Sequence, residues 1–148
     1  MGGTGTLLTH RGVIYPWHCD HMGHMNVMWY VGKFDEATWH LMAALGLTPA
    51  YLRDSGTGMV AVEQTISYKQ ELMAGDLISV HSTVLEVRNS ALRFTHEMRN
   101  ETSGEVCATT LLVGVHLDTT IRKSRALPAS VRGRAAELFT LTPSGAGA

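Results

Sequence analysis

Asp20 is where chemistry is most expected in this chain. It stands in the loop Trp17-His18-Cys19-Asp20-His21-Met22-Gly23-His24-Met25-Asn26, directly ahead of the longest helical pattern among the 148 residues. A carboxylate beside a helix N-terminus can activate water or attack a carbonyl carbon, while free N–H groups of the first turn hold the oxyanion that develops. Val27 and Met28 are expected to supply those N–H groups, and the positive end of the helix dipole keeps Asp20 ionised. The plainer role for Asp20 is to cap a turn. His18, Cys19, Asp20, His21 and His24 are all metal-ligating types, but near-consecutive ligands converge poorly and no distant matching half follows, so no metal is expected. Met22, Met25 and Met28 read as adaptable packing around a pocket. Trp17, Trp29, Trp39 and Tyr30 could hold a quaternary ammonium group if their faces converge. Otherwise Trp39 and at least one of the others belong to the core.

The elements that must position this loop follow from hydrophobic period. Tyr30, Phe34, Ala37, Leu41 and Leu45 form one apolar helical stripe, with Lys33, Glu36 and His40 on the other side. Asn26 is the expected N-cap, Met25 and Tyr30 stand at hydrophobic-staple positions, and Gly46 with Pro49 supplies the stop, giving a helix of about 20 residues, or roughly 30 Å. A first strand is expected over 7–15, and 48–58 reads as a connecting loop. Val60, Val62, Ile66 and Tyr68 then alternate with polar residues as a half-buried strand. Strands over 77–87 and 92–99 follow, then an apolar run over 106–117 that suits a central strand. Pro128 opens a short helix over 129–138. The chain therefore divides into a flexible 1–6, one domain over 7–138 and a flexible tail over 139–148, with an α+β architecture of one long helix against a curved antiparallel sheet.

Composition narrows the function classes. The formal charge of -1, with cations spread along the chain, offers no basic stripe for nucleic acid. No apolar run approaches the roughly 20 residues that span a bilayer. Two distant cysteines, Cys19 and Cys107, without a secretory pattern at the start, suggest reduced thiols and a cytoplasmic location.

The stretch Asp20-His21-Met22-Gly23-His24-Met25-Asn26, followed by Tyr30, Phe34 and Ala37, resembles the signature of hotdog-fold acyl-CoA thioesterases of the 4-hydroxybenzoyl-CoA thioesterase type. Tyr68, Gly75 and Asp76 match that family at the end of the second strand and the turn after it. The resemblance covers about Val13 to Pro128. A second asparagine common in the family is Val27 here, and the variant loop with Phe34-Asp35 is similar to a branch that includes betainyl-CoA thioesterases. The resemblance implies Asp20 as the catalytic carboxylate and the backbone N–H of Val27 as oxyanion donor, which the valine leaves intact. It implies substrate contacts from Gly23, His24, Asn26, Trp29, Tyr30 and Tyr68, with Gly23 permitting close approach of loop and ligand. Coenzyme A enters as part of the substrate, with no separate cofactor; Arg88, Asn89 and Ser90, or Arg122, Lys123 and Arg125, are candidates for its phosphates. The expected assembly is a homodimer with a continuous sheet, paired again into a homotetramer. A hydratase of acyl thioesters and a non-catalytic acyl-CoA-binding module are the alternatives; the former lacks its usual N-x-x-H helix start here.

Overall fold

The computed structural model describes residues 5–141. One antiparallel sheet carries the strands in the order β1 (Leu7–Val13), β3 (Leu77–Val87), β4 (Ala91–Asn100), β5 (Val106–Asp118) and β2 (Thr57–Tyr68), and the short β6 (Lys123–Ser124) pairs with β5. Among the described residues the α-helices are α1 (Val27–Ala44), α2 (Pro49–Ser55) and α3 (Ala129–Leu138), with a short 3-10 turn over Pro16–His18. The architecture is α+β, as the period change along the chain predicts.

α1 forms for the reasons read from sequence. Asn26 caps it by accepting from the Met28 N–H. Its stripe of Tyr30, Phe34, Ala37, Leu41 and Leu45 is buried against the sheet. Phe34 and Tyr30 pack with Ile78, Val80, Met98 and Ala108, while Leu41 and Leu45 join Val84, Leu92, Phe94 and Leu112. The inward residues of β4, Leu92, Phe94, His96 and Met98, are all buried, so this strand keeps the alternation expected of it.

One polar chain threads this apolar interior. His96 receives no solvent, and its Nδ1 lies 2.6 Å from Ser82 Oγ and its Nε2 2.8 Å from Thr38 Oγ1. Ser82 Oγ in turn lies 2.7 Å from Thr9 Oγ1, and Phe34 stacks on the imidazole. The network ties β1, β3, β4 and α1 together.

Four expectations need correction. Lys33 is buried, not on the open side of α1, because β1 covers that helix face: Lys33 Nζ lies 3.5 Å from where a Cβ on Gly12 would stand. Residues 48–58 are no loop: Thr48 accepts from the Tyr51 N–H, Pro49 fills the first helical position and Gly56, at φ +66°, ends α2. These are helix signals that a cluster of breakers had masked. Trp39 is 45% exposed and not core. Phe139 is buried and Leu141 packs beside it, so the packed chain runs past 138. The remainder of the expected ends, 1–4 and 142–148, lies outside the described residues.

β2 differs in a more telling way. Its register with β5 shifts between Ala61 and Glu63, leaving Val62 as an extra, unpaired residue. Before the bulge Met59 and Ala61 face α1 with their partners His116 and Gly114; after it Gln64, Ile66 and Tyr68 do, beside Leu112, Thr110 and Ala108. One added residue reverses the side-chain parity, so the alternation read through Val60 and Val62 places both on the wrong face. They are 38% and 60% exposed, on the free edge strand of the sheet.

Candidate active site

The Asp20 loop is a miniature hairpin. Cys19 and Met25 form a β-bridge, the Asp20 N–H donates to His24 O, and the Gly23 N–H donates back to Asp20 O. Gly23 closes the turn at φ +85°, a left-handed conformation that glycine adopts without strain. Among the described residues nothing lies within 4 Å of where its Cβ would stand, so within the chain it is the turn that asks for this glycine. The Met25 N–H donates to Leu72 O at 2.7 Å, which docks the loop on the segment after β2.

Two donors hold the Asp20 carboxylate. The Met22 N–H reaches Oδ1 at 2.9 Å and Asn26 Nδ2 reaches Oδ2 at 3.1 Å. The Asn26 bond first, and the Met22 bond next, hold the carboxyl below the usual aspartate range. Asn26 therefore does two things at once: its Oδ1 caps α1 and its amide nitrogen orients Asp20. Asn26→Ala is expected to lower kcat about tenfold and stability by about 1 kcal/mol. Asn26→Asp should keep the cap but raise the Asp20 pKa through like-charge repulsion, moving the acid limb of the pH–rate profile upward. Thiol-release kinetics across pH and denaturant midpoints check both.

The first turn of α1 has one unclaimed donor. The Asn26 N–H donates to His18 O, the Met28 N–H to Asn26 Oδ1 and the Trp29 N–H to Asn26 O. The Val27 N–H has no acceptor among the described residues, whereas that of Met28, expected to be free, is taken by the cap.

An open cavity of about 390 Å³ brings Asp20, His24, Val27, Tyr30 and Tyr68 together. Tyr30 and Tyr68 meet edge to face at 5.1 Å, and burial first, with nearby Cys107, pushes the Tyr30 phenol up to about 12. Glu71 belongs to the same cavity and pairs with His24 at 3.0 Å. Sequence reasoning missed Glu71 because the segment after Tyr68 has no period; its only signal is its place just ahead of the buried Leu72.

Other expected site residues lie elsewhere. Trp29 stands edge-on to His18 at 4.6 Å, Trp17 stacks on Tyr15 at 4.5 Å, and Trp39 lines a different cavity, so the four aromatic rings do not converge. Arg88, Asn89 and Ser90 occupy the β3–β4 turn at the opposite end of the sheet. Ala91 pairs with Val115 there, while Tyr68 pairs with Ala108, seven residues or roughly 24 Å along β5. Ser90 is buried and the Arg88 guanidinium lies 3.2 Å from Glu86, so this turn does not face the Asp20 cavity of its own chain. Arg125, which donates to Ser55 O, sits at that same far end. Among the described residues no three His, Cys, Asp or Glu side chains converge as a metal site; His18 and Cys19 bond backbone atoms of Tyr15 instead.

Comparison with known proteins decides the family. A sequence profile described as the thioesterase-like superfamily matches residues 14–135. The chain belongs to this superfamily. A curated relative, the L-carnitine dehydrogenase/betainyl-CoA thioesterase of Agrobacterium fabrum, is 32% identical over 109 residues. That match covers 74% of this chain and 22% of the relative, so the chain spans about a fifth of the longer protein's length. A Staphylococcus aureus protein solved in complex with CoA superimposes with a TM-score of 0.84 at 19% identity, covering 96% of this chain and 92% of that one. The 1,4-dihydroxy-2-naphthoyl-CoA thioesterase of Synechocystis superimposes at 0.80 with 18% identity, covering 90% and 98%. These superpositions establish the hotdog fold of this superfamily member.

Proposed function

We propose that the chain hydrolyses acyl-CoA thioesters to a free acid and CoA. The observation that carries this reading is the meeting, in one cavity, of an ionised carboxylate with an unclaimed N–H at a helix N-terminus. The thioester carbonyl oxygen accepts from the Val27 N–H, and the helix dipole favours the negative charge that develops on it. Asp20 either takes a proton from the attacking water or attacks the carbonyl carbon itself to form an anhydride that water then opens. In both routes the C–S bond breaks and the thiolate leaves. The superfamily match and the curated relative support the reaction class. A panel of short, branched, aromatic and betainyl CoA thioesters, read by thiol release, tests it; no turnover of any of them contradicts it.

The working form is proposed to be a homodimer, pairing again as a homotetramer, in the cytoplasm. β2 is a free edge twelve residues long, and Val60, Val62, Met28, Val31 and Trp39 expose apolar surface on it and on α1. Pairing with a second copy covers both liabilities. Light scattering is expected to give at least twice the 16.1 kDa chain mass; a monomer that turns over substrate contradicts the assembly.

A further inference from the structure

The Asp20 cavity holds one ion pair that the proposed hydrolysis does not use. His24 Nε2 lies 3.0 Å from Glu71 Oε2, and both residues line the cavity with Asp20 and Val27. The backbone sets this arrangement. Asp20 and His24 face one another across the hairpin, since the Asp20 N–H donates to His24 O just inside the bridge between Cys19 and Met25. Residues so opposed turn their side chains to one face, with Cβ atoms about 5 Å apart. On the other flank the Met25 N–H donates to Leu72 O, and Leu72 is fully buried, so the backbone of Glu71 is held beside the loop. The ring thus stands between two carboxylates. An ionised carboxylate only accepts, so Nε2 carries a hydrogen toward Glu71. Nδ1 makes no hydrogen bond among the described residues and is the nitrogen left to give and take a proton. Departure of the sulfur is the step that draws on one: an alkanethiol of the cysteine type ionises only at about pH 8.5, so its thiolate leaves faster when a proton reaches it as the C–S bond breaks.

We propose that His24, oriented by Glu71, protonates the departing thiolate. This rests on the thioesterase reading above and deepens it: His24 touches the reacting sulfur, and Glu71 is a positioning residue that acts through it. In the direct route Asp20 takes a proton from water as the new C–O bond forms. The C–S bond then breaks, its electron pair goes to sulfur, and sulfur takes the Nδ1 proton of the imidazolium. Asp20 passes its own proton across the hairpin to Nδ1, which restores both groups. In the anhydride route the Nδ1 proton goes to sulfur as Asp20 displaces it, and the neutral ring takes a proton from the water that opens the anhydride. Both routes end with one acid, one thiol, an ionised Asp20 and a protonated His24.

The test compares two thioesters of one acyl group, the CoA thioester and an aryl thioester whose more acidic thiol leaves without a proton. kcat/KM is measured for the wild type, His24→Gln, Glu71→Ala and Glu71→Gln, with circular dichroism to check that each is folded. His24→Gln is expected to lose about a hundredfold or more on the CoA thioester and less than about threefold on the aryl thioester. Glu71→Ala should show the same asymmetry at about tenfold, and Glu71→Gln, whose amide oxygen still accepts from Nε2, should recover part of it. A residue that only held the loop would lower both rates together. Losses in His24→Gln that are equal on the two thioesters, or wild-type rates on the CoA thioester, overturn the proposal and leave the thioesterase reading standing. A wild type that cleaves neither thioester removes that reading and this role with it.

Discussion

Acidification from pH 6.5 to about 4 is expected to cost the fold about 3 kcal/mol through His96 alone. Burial holds this imidazole neutral in the folded protein down to about pH 4, while the unfolded chain protonates it near 6.5. Between those values the unfolded state binds more protons than the folded one, so stability rises with pH across the window and the penalty is absent above it. The ring cannot escape by turning to solvent, because Ser82 and Thr38 grip both nitrogens and Phe34 covers its face. His10, His18 and His81, whose pKa values burial also lowers, push the same way. Denaturant midpoints of the wild type and His96→Gln, measured from pH 7 to 4, isolate the His96 share. The variant should be less stable at pH 7, through the lost network, and the gap should narrow as pH falls. Parallel curves would remove His96 from the account.

Asp20→Asn is expected to reduce kcat by about a hundredfold or more, with KM little changed. An amide neither takes a proton from water nor attacks the carbonyl carbon. The substitution keeps the size of the side chain, and its oxygen can still accept the Met22 N–H that anchors the loop. The exposed loop should therefore stay folded, and the loss should fall on the chemical step. In the wild type the two hydrogen bonds to the carboxylate extend activity into mild acid, so the acid limb of kcat/KM should lie below the ordinary aspartate range. A variant with unchanged kcat and raised KM would make Asp20 a binding group.

Local signals made much of this legible in the sequence. Asn26 as N-cap, the stripe from Tyr30 to Leu45 and the alternation of β4 all rest on neighbours within a turn or a strand, and the structure keeps them. The loop with its carboxylate at a helix start was equally visible, because capping and left-handed turns have their own residue types. What the sequence hid depends on contacts far along the chain. Lys33 looks exposed until β1 is laid beside it. The bulge at Val62 leaves no mark in composition, yet it decides which half of β2 faces α1. Arg88 and Ser90 resembled an anion site as an isolated turn, but strand register places them a sheet length from Asp20. Glu71 gained meaning only when a cavity showed what it faces.

Single-turnover mixing of the wild type and Asp20→Asn, each in excess over one acyl-CoA that the wild type cleaves, tests the central claim most directly. This reads the chemical step apart from product release. The account predicts that the rate of C–S cleavage falls at least about a hundredfold in the variant while its circular dichroism and its affinity for the thioester stay near wild type. Equal cleavage rates in the two proteins would contradict it, and the catalyst would have to be sought outside the Asp20 loop.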